Sequence, residues 1–144
     1  SSLPPMRSLP ILLSLVSVTA SFRTQSAAAE GILLCHGKPA SGVKVKMYDD
    51  DSGPDLDDLL DEGYTDAAGR FKLSGSASEF LTIDVKLNIY HKCDKLIPAC
   101  DRRITMWVPD GYVSSGSIPQ KVFNVGTLEL SAEFEGETTD CMNK

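Results

Sequence analysis

The ten residues TIDVKLNIYH, 82–91, alternate without a break: Ile83, Val85, Leu87 and Ile89 fall on one side, and Asp84, Lys86, Asn88 and Tyr90 on the other. Side chains along a strand point to opposite faces in turn, so a period of two with one aliphatic set describes a half-buried β-strand rather than an amphipathic helix. Working outward, Val43, Val45 and Met47 alternate with Lys44 and Lys46 in the same way. The same reading predicts strands over residues 32–35, 43–47, 62–65, 70–74, 82–91, 103–108 and 122–130. Turn chemistry separates them: His36-Gly37-Lys38-Pro39, then Asp66-Ala67-Ala68-Gly69 with glycine where positive φ is needed, then Pro109-Asp110-Gly111. Seven short strands in a chain of 144 residues predict one all-β domain, a seven-stranded antiparallel β-sandwich of immunoglobulin-like layout.

The N-terminal segment reads differently. Met6-Arg7 precedes the apolar run LPILLSLVSV at residues 9–18, followed by small residues at Val18-Thr19-Ala20 and again at Ala27-Ala28-Ala29. A basic start, a short greasy middle and a small-residue end describe a cleavable export signal, and the run is well short of the roughly 20 residues a membrane span requires. The expected organisation is therefore a leader over residues 1–29, with Met6 as initiator, and a secreted, extracellular domain over residues 30–144.

Export would place Cys35, Cys93, Cys100 and Cys141 in an oxidising compartment, where an even count reads as a disulfide framework. Of the three connectivities, Cys93–Cys100 with Cys35–Cys141 is the expected one: the first closes a short loop and the second ties the first strand to the tail. No cysteine pair has the spacing of a zinc site, and only two histidines exist.

Losing Arg7 and Arg23 with the leader would lower the formal net charge from −6 to about −8. An acidic domain whose longest basic run is Arg102-Arg103 has no means of neutralising a phosphate backbone, which excludes nucleic acid as a partner. The densest charge is the run DDDSGPDLDD at residues 49–58, read as a solvated loop. Its carboxylates Asp49, Asp50, Asp51, Asp55, Asp57 and Asp58 are candidate surface contacts. A calcium reading lacks a matching motif, because counting from Asp49 puts Pro54 and Leu60 where an EF-hand loop needs glycine and glutamate. No metal and no cofactor are expected.

Four ordered strings carry a likeness to a known family: GILLCHGKPASGVKVKMYDDDSGPDLDDLL at 31–60, EGYTDAAGRFKLSG at 62–75, LTIDVKLNIYHKC at 81–93, and GTLEL at 126–130 with Cys141 trailing. Together they resemble the nematode transthyretin-like family. That resemblance implies a secreted domain with the transthyretin sandwich, and a family whose biochemical activity is mostly undefined. The hydrolytic relatives of transthyretin use histidines, an arginine and a Tyr-Arg-Gly-Ser ending. The tail here is Thr138-Thr139-Asp140-Cys141-Met142-Asn143-Lys144, so that ending is missing.

A general base must hold a pKa near neutrality within reach of its proton. His36, in a turn, and His91, at a strand end, are both read as surface histidines, so the chain is not expected to be an enzyme. Trp107 is read as core, and Tyr112 as an ordinary loop tyrosine that is also the better candidate for an exposed aromatic contact. Two functions stay open: an extracellular interaction module for a protein or lipid surface, or a carrier of a small apolar molecule in a channel between subunits.

Overall fold

The computed structural model describes residues 22–51 and 57–142. The expected signal segment up to residue 21 and the candidate contact Asp55 lie outside the described residues. In chain order the strands are β1 (Arg23–Cys35), β2 (Lys38–Pro39), β3 (Lys44–Asp49), β4 (Asp58–Tyr64), β5 (Arg70–Glu79), β6 (Val85–His91), β7 (Asp101–Trp107), β8 (Ser114–Ser115), β9 (Val122–Glu129) and β10 (Thr138–Asp140). Seven of them are six residues or longer, which accounts for the seven strands expected; three short pairings complete the sheets.

One sheet is built around β1, with β2 and β5 on one side and β8 and β9 on the other. The second runs β10-β7-β6-β3-β4. Their facing sides close a core of Ala27, Ala29, Leu33, Val45, Met47, Phe71, Leu73, Ile83, Val85, Leu87, Ile89, Ile104 and Leu130. All four aliphatic residues of the 82–91 stretch are buried to within 1 %. Two features depart from the expected antiparallel pattern. The β1–β9 ladder is parallel, and its register shifts between Glu30 and Ile32.

The N-terminal boundary also differs. β1 starts at Arg23, seven residues before Glu30, and Gln25, Ser26, Ala27, Ala28 and Ala29 are all buried. These residues pair with β5 from Arg23↔Glu79 to Ile32↔Arg70. Alanine and serine carry no alternation, so this half of the central strand cannot be told from a signal-peptide end by pattern. Gln25 then ties β1 to the connection that carries the chain from β5 to β6: its Nε2 donates to the Leu81 carbonyl (2.7 Å), and its Oε1 accepts from the Ile83 amide (3.0 Å).

The disulfides are Cys35–Cys93 and Cys100–Cys141, not the expected pairing. Register explains the second. β10 pairs antiparallel with β7 through Thr138↔Arg103 and Asp140↔Asp101, so Cys141 falls opposite Cys100 as the next cross-strand pair. The first joins the end of β1 in one sheet to the residues after β6 in the other.

At the β4–β5 turn, Asp66 Oδ1 accepts from the Ala68 and Arg70 amides, both at 2.9 Å, and Gly69 sits at φ 76° as its position in the turn requires. A side chain at Gly69 would also collide with the Leu33 carbonyl, which accepts the Ala40 amide at the neighbouring turn.

Candidate functional site

Even-numbered residues of β3 and β6 face away from the core, as the alternation requires, and the register sets them in rows across the five-stranded sheet. Tyr64, Lys44, Tyr90 and Arg103 form one row; Glu62, Lys46, Asn88 and Thr105 the next; Tyr48, Lys86 and Trp107 the third. Lys44 Nζ lies 5.9 Å from the Tyr64 ring centroid, Lys46 Nζ 5.4 Å from that of Tyr90, and Lys86 Nζ 5.8 Å from that of Trp107. Each ammonium is within reach of a cation–π contact. Among the described residues, Lys44 and Lys46 pair with no carboxylate, whereas Lys86 reaches Asp50 at 2.9 Å and Asp57 at 2.6 Å.

Below the lysines, Asn88 and Tyr90 are buried on this outer face. Thr105 Oγ1 donates to Asn88 Oδ1 at 2.8 Å, and Asn88 Nδ2 donates to the Tyr90 hydroxyl at 3.3 Å. Burial, with Tyr90 beside it, pushes the Tyr48 phenol up to about 12. Trp107 is 55 % exposed and Tyr64 63 %, so the expectation of a core tryptophan is corrected. Counting the Arg103–Val108 stretch by parity puts Ile104, not Trp107, on the inner face, because Met106 and Ile104 share the side opposite Trp107.

The acidic run is not one solvated loop. Asp49 ends β3 and is 3 % exposed, and Asp58 opens β4 directly across from it. Alternation sorts the carboxylates: Asp50 and Asp57 turn outward to Lys86, while Asp49, Asp51, Asp58 and Glu79 converge with one oxygen of each within 4.8 Å of the others. Burial pushes the Asp49 carboxyl up to about 6, and burial with the neighbouring Asp51 and Asp58 charges raises Glu79.

The two histidines have opposite surroundings. His91 is corrected from surface to core: it continues the inner face of Ile89 and is 1 % exposed. Its Nδ1 accepts from the Cys93 amide at 3.1 Å, so the neutral ring carries its proton on Nε2, 3.9 Å from Glu137 Oε1. Burial, aided by the adjacent Arg102 charge, lowers its pKa to about 4. Arg102 fills the space around it, donating to the Cys93, Leu130 and Ala132 carbonyls and to both Glu137 oxygens. His36 is exposed, and its Nε2 is 2.9 Å from Asp94.

Tyr112 does not project into solvent. It is half-buried against the core, its ring 5.1 Å edge-on from Phe123. On the other sheet, Gly31, Phe71, Arg70, Asn124 and Thr127 border an open groove of about 580 Å³. Its floor exists because a side chain at Gly31 would meet Val125 and Phe71.

The lysine–aromatic rows were visible in the sequence only as outward residues, since rows across strands need a register. Glu79 and the Arg102–Glu137 pair carried no local signal at all. Comparison with known proteins agrees with the likeness in the strings. A model of the Transthyretin-like family matches residues 30–109. Transthyretin-like protein 33 of Caenorhabditis elegans is 54 % identical over 121 residues, covering 84 % of this chain and 85 % of that protein. Transthyretin-like protein 5 of the same worm is 44 % identical over 137 residues, 94 % of this chain and 99 % of its own. By sequence over most of its length and by its two-sheet fold, the chain belongs to the transthyretin-like family.

Proposed function

We propose that this chain is a secreted, non-catalytic binding module of the nematode extracellular space, and that the outer face of β4, β3, β6 and β7 receives an acidic protein surface. The observation that carries this reading is the set of lysines laid over aromatic rings, Lys44 on Tyr64 and Lys46 on Tyr90, beside the exposed Trp107. In a chain of net charge −6, cations held on rings rather than on carboxylates remain available to a partner's anions. Aromatic and cationic side chains at the centre of a patch are the groups that dominate protein interfaces. Export is supported by the apolar run at residues 9–18 and by four cysteines all held in disulfides. Absence of catalysis is supported by the histidines: one is sealed in the core, the other is an exposed ion-pair partner.

The test is binding of the labelled oxidised protein to worm cell surfaces. Charge reversal at Lys44 and Lys46 should abolish binding that weakens with added salt, while reversal at Lys72 on the other sheet should not. Binding unaffected by Lys44→Glu with Lys46→Glu would remove this face from consideration. The groove of about 580 Å³ keeps a second reading, a carrier, since its size suits a small ligand. Such an open groove needs a second copy to close it, so a monomer by light scattering would count against a channel between subunits.

A further inference from the structure

We propose that Asp49, Asp51, Asp58 and Glu79 form a calcium-binding site at the end of the sandwich where β3, β4 and β5 terminate. Four carboxylates from three strand ends present oxygens that all lie within 4.8 Å of one another. Oxygens bound to calcium at 2.3–2.6 Å are spread over a shell about 4.6–5.2 Å across, so this group fits one ion without rearrangement of the strands. Magnesium demands a tighter octahedron and keeps most of its waters. The absence of nitrogen and sulfur donors from the group argues against zinc.

Proximity of acids alone would not suffice, and Asp49 adds an independent observation. The residue is 3 % exposed, and its two oxygens are treated differently: Oδ1 accepts from the Asp84 amide at 3.0 Å, while Oδ2 is buried and, among the described residues, has no hydrogen-bond partner. A buried carboxylate oxygen left without a partner costs stability unless something cationic meets it. The neighbouring lysine does not serve, because Lys86 is turned to the other face and held by Asp50 and Asp57. Arg23 is the cross-strand neighbour of Glu79, yet among the described residues no ion pair joins them.

The strand pairing Asp49↔Asp58 fixes the two walls of the site in the folded protein, and no EF-hand sequence is needed because the ligands come from register, not from one loop.

The test is calorimetric titration of calcium chloride into the full, oxidised, chelator-treated chain at neutral pH. The expected result is a single site with a dissociation constant of about 10⁻⁴–10⁻³ M, the range of extracellular modules, and at least about tenfold weaker binding of magnesium. Asp49→Asn and Glu79→Gln should each weaken calcium binding at least about tenfold, while Glu62→Gln, on the outer face, leaves it unchanged. Asp49→Asn should also raise the thermal midpoint of the metal-free protein, since it removes a repelling charge and supplies an amide donor. No saturation up to about 10 mM calcium, or equal binding by wild type and both variants, would overturn the site. So would carboxyl carbon resonances of Asp49 and Glu79 that ignore calcium. The result is independent of the lysine–aromatic face, whose charge-reversal variants leave these four residues intact.

Discussion

His36 and Asp94 are an ion pair that doubles a disulfide: each follows directly on one half of Cys35–Cys93, and His36 Nε2 lies 2.9 Å from the Asp94 carboxylate. Both residues sit at positive φ, 51° and 52°. Covalent bond and ion pair together pin the β1–β2 turn of one sheet to the loop after β6 of the other. Glu129 holds the same turn from a third side, accepting from the Gly37 amide at 2.6 Å and the His36 amide at 3.1 Å. The Ser131 amide, with these two amides and the Ser131 hydroxyl, lowers its pKa to about 2.

The Asp94 carboxylate raises the His36 pKa above its ordinary 6.5. A pKa raised on folding gives stability that is complete below pH 6.5 and is lost as pH rises through the folded value. In Asp94→Asn, the His36 ring resonances should titrate lower than in the wild type. The wild type's excess in denaturant midpoint over that variant should shrink across the same pH interval. Equal titration midpoints would show the pair to be absent in solution.

His91 has the opposite sign. Its pKa falls from 6.5 to about 4, so stability is complete above pH 6.5 and drains away as pH drops toward 4, where the folded protein finally takes up the proton. At 1.36 kcal/mol per unit the loss is roughly 3 kcal/mol. Comparing urea unfolding of wild type and His91→Gln from pH 7 to 4 should give a distinctly flatter profile for the variant.

Each disulfide closes a long loop, with sequence separations of 58 and 41. Chain-entropy arguments put the contribution of either on the order of 4 kcal/mol. Replacing Cys35 and Cys93 by serine should lower global stability by that order. Replacing Cys100 and Cys141 should raise hydrogen exchange first in β10, which is only three residues long and, among the described residues, pairs with β7 alone. Peptide mapping of the unreduced protein should recover Cys35–Cys93 and Cys100–Cys141 peptides and none linking Cys93 to Cys100.

A chain beginning at Glu30 should fail to fold, whereas one beginning at Phe22 should give a cooperative melt. The first lacks Gln25, whose side chain holds the connection from β5 to β6, and seven of the ten pairs of the ladder to β5. If both melt alike, the buried alanines of β1 are dispensable. An export peptidase that leaves this fold intact must cut before Arg23.

Trp107→Ala should change stability by less than about 1 kcal/mol, the worth of a surface cation–π contact. A buried tryptophan would cost about 3–5 kcal/mol. Chemical denaturation of the variant separates the two directly, and a large loss would contradict the exposed position of the ring.

Fold class was legible because alternation is a local property. Ile83 to Ile89 announce a buried face whatever lies beside them, and Asp66 to Gly69 announce a turn by their own hydrogen bonds. Where the local pattern is weak or shared by two structures, neighbouring residues alone do not separate them. Ala27-Ala28-Ala29 has the composition of a signal end and of a crowded strand, and only pairing with β5 and β9 separates them. His91 and Asp49 continue the inward parity of their strands, yet polar type suggested solvent; tertiary packing overrode it.

By itself, then, the order of residues determined an all-β chain with seven principal strands, a family, and the outward position of the lysines. Tertiary structure alone decided which cysteines pair, that the first strand reaches back to Arg23, and that Asp49, Asp51, Asp58 and Glu79 meet. The physical reason is range. Alternation and turns act over a few residues and are written in neighbouring positions, whereas a disulfide or a carboxylate cluster depends on registers between strands as far apart as β3 and β5, or β7 and β10.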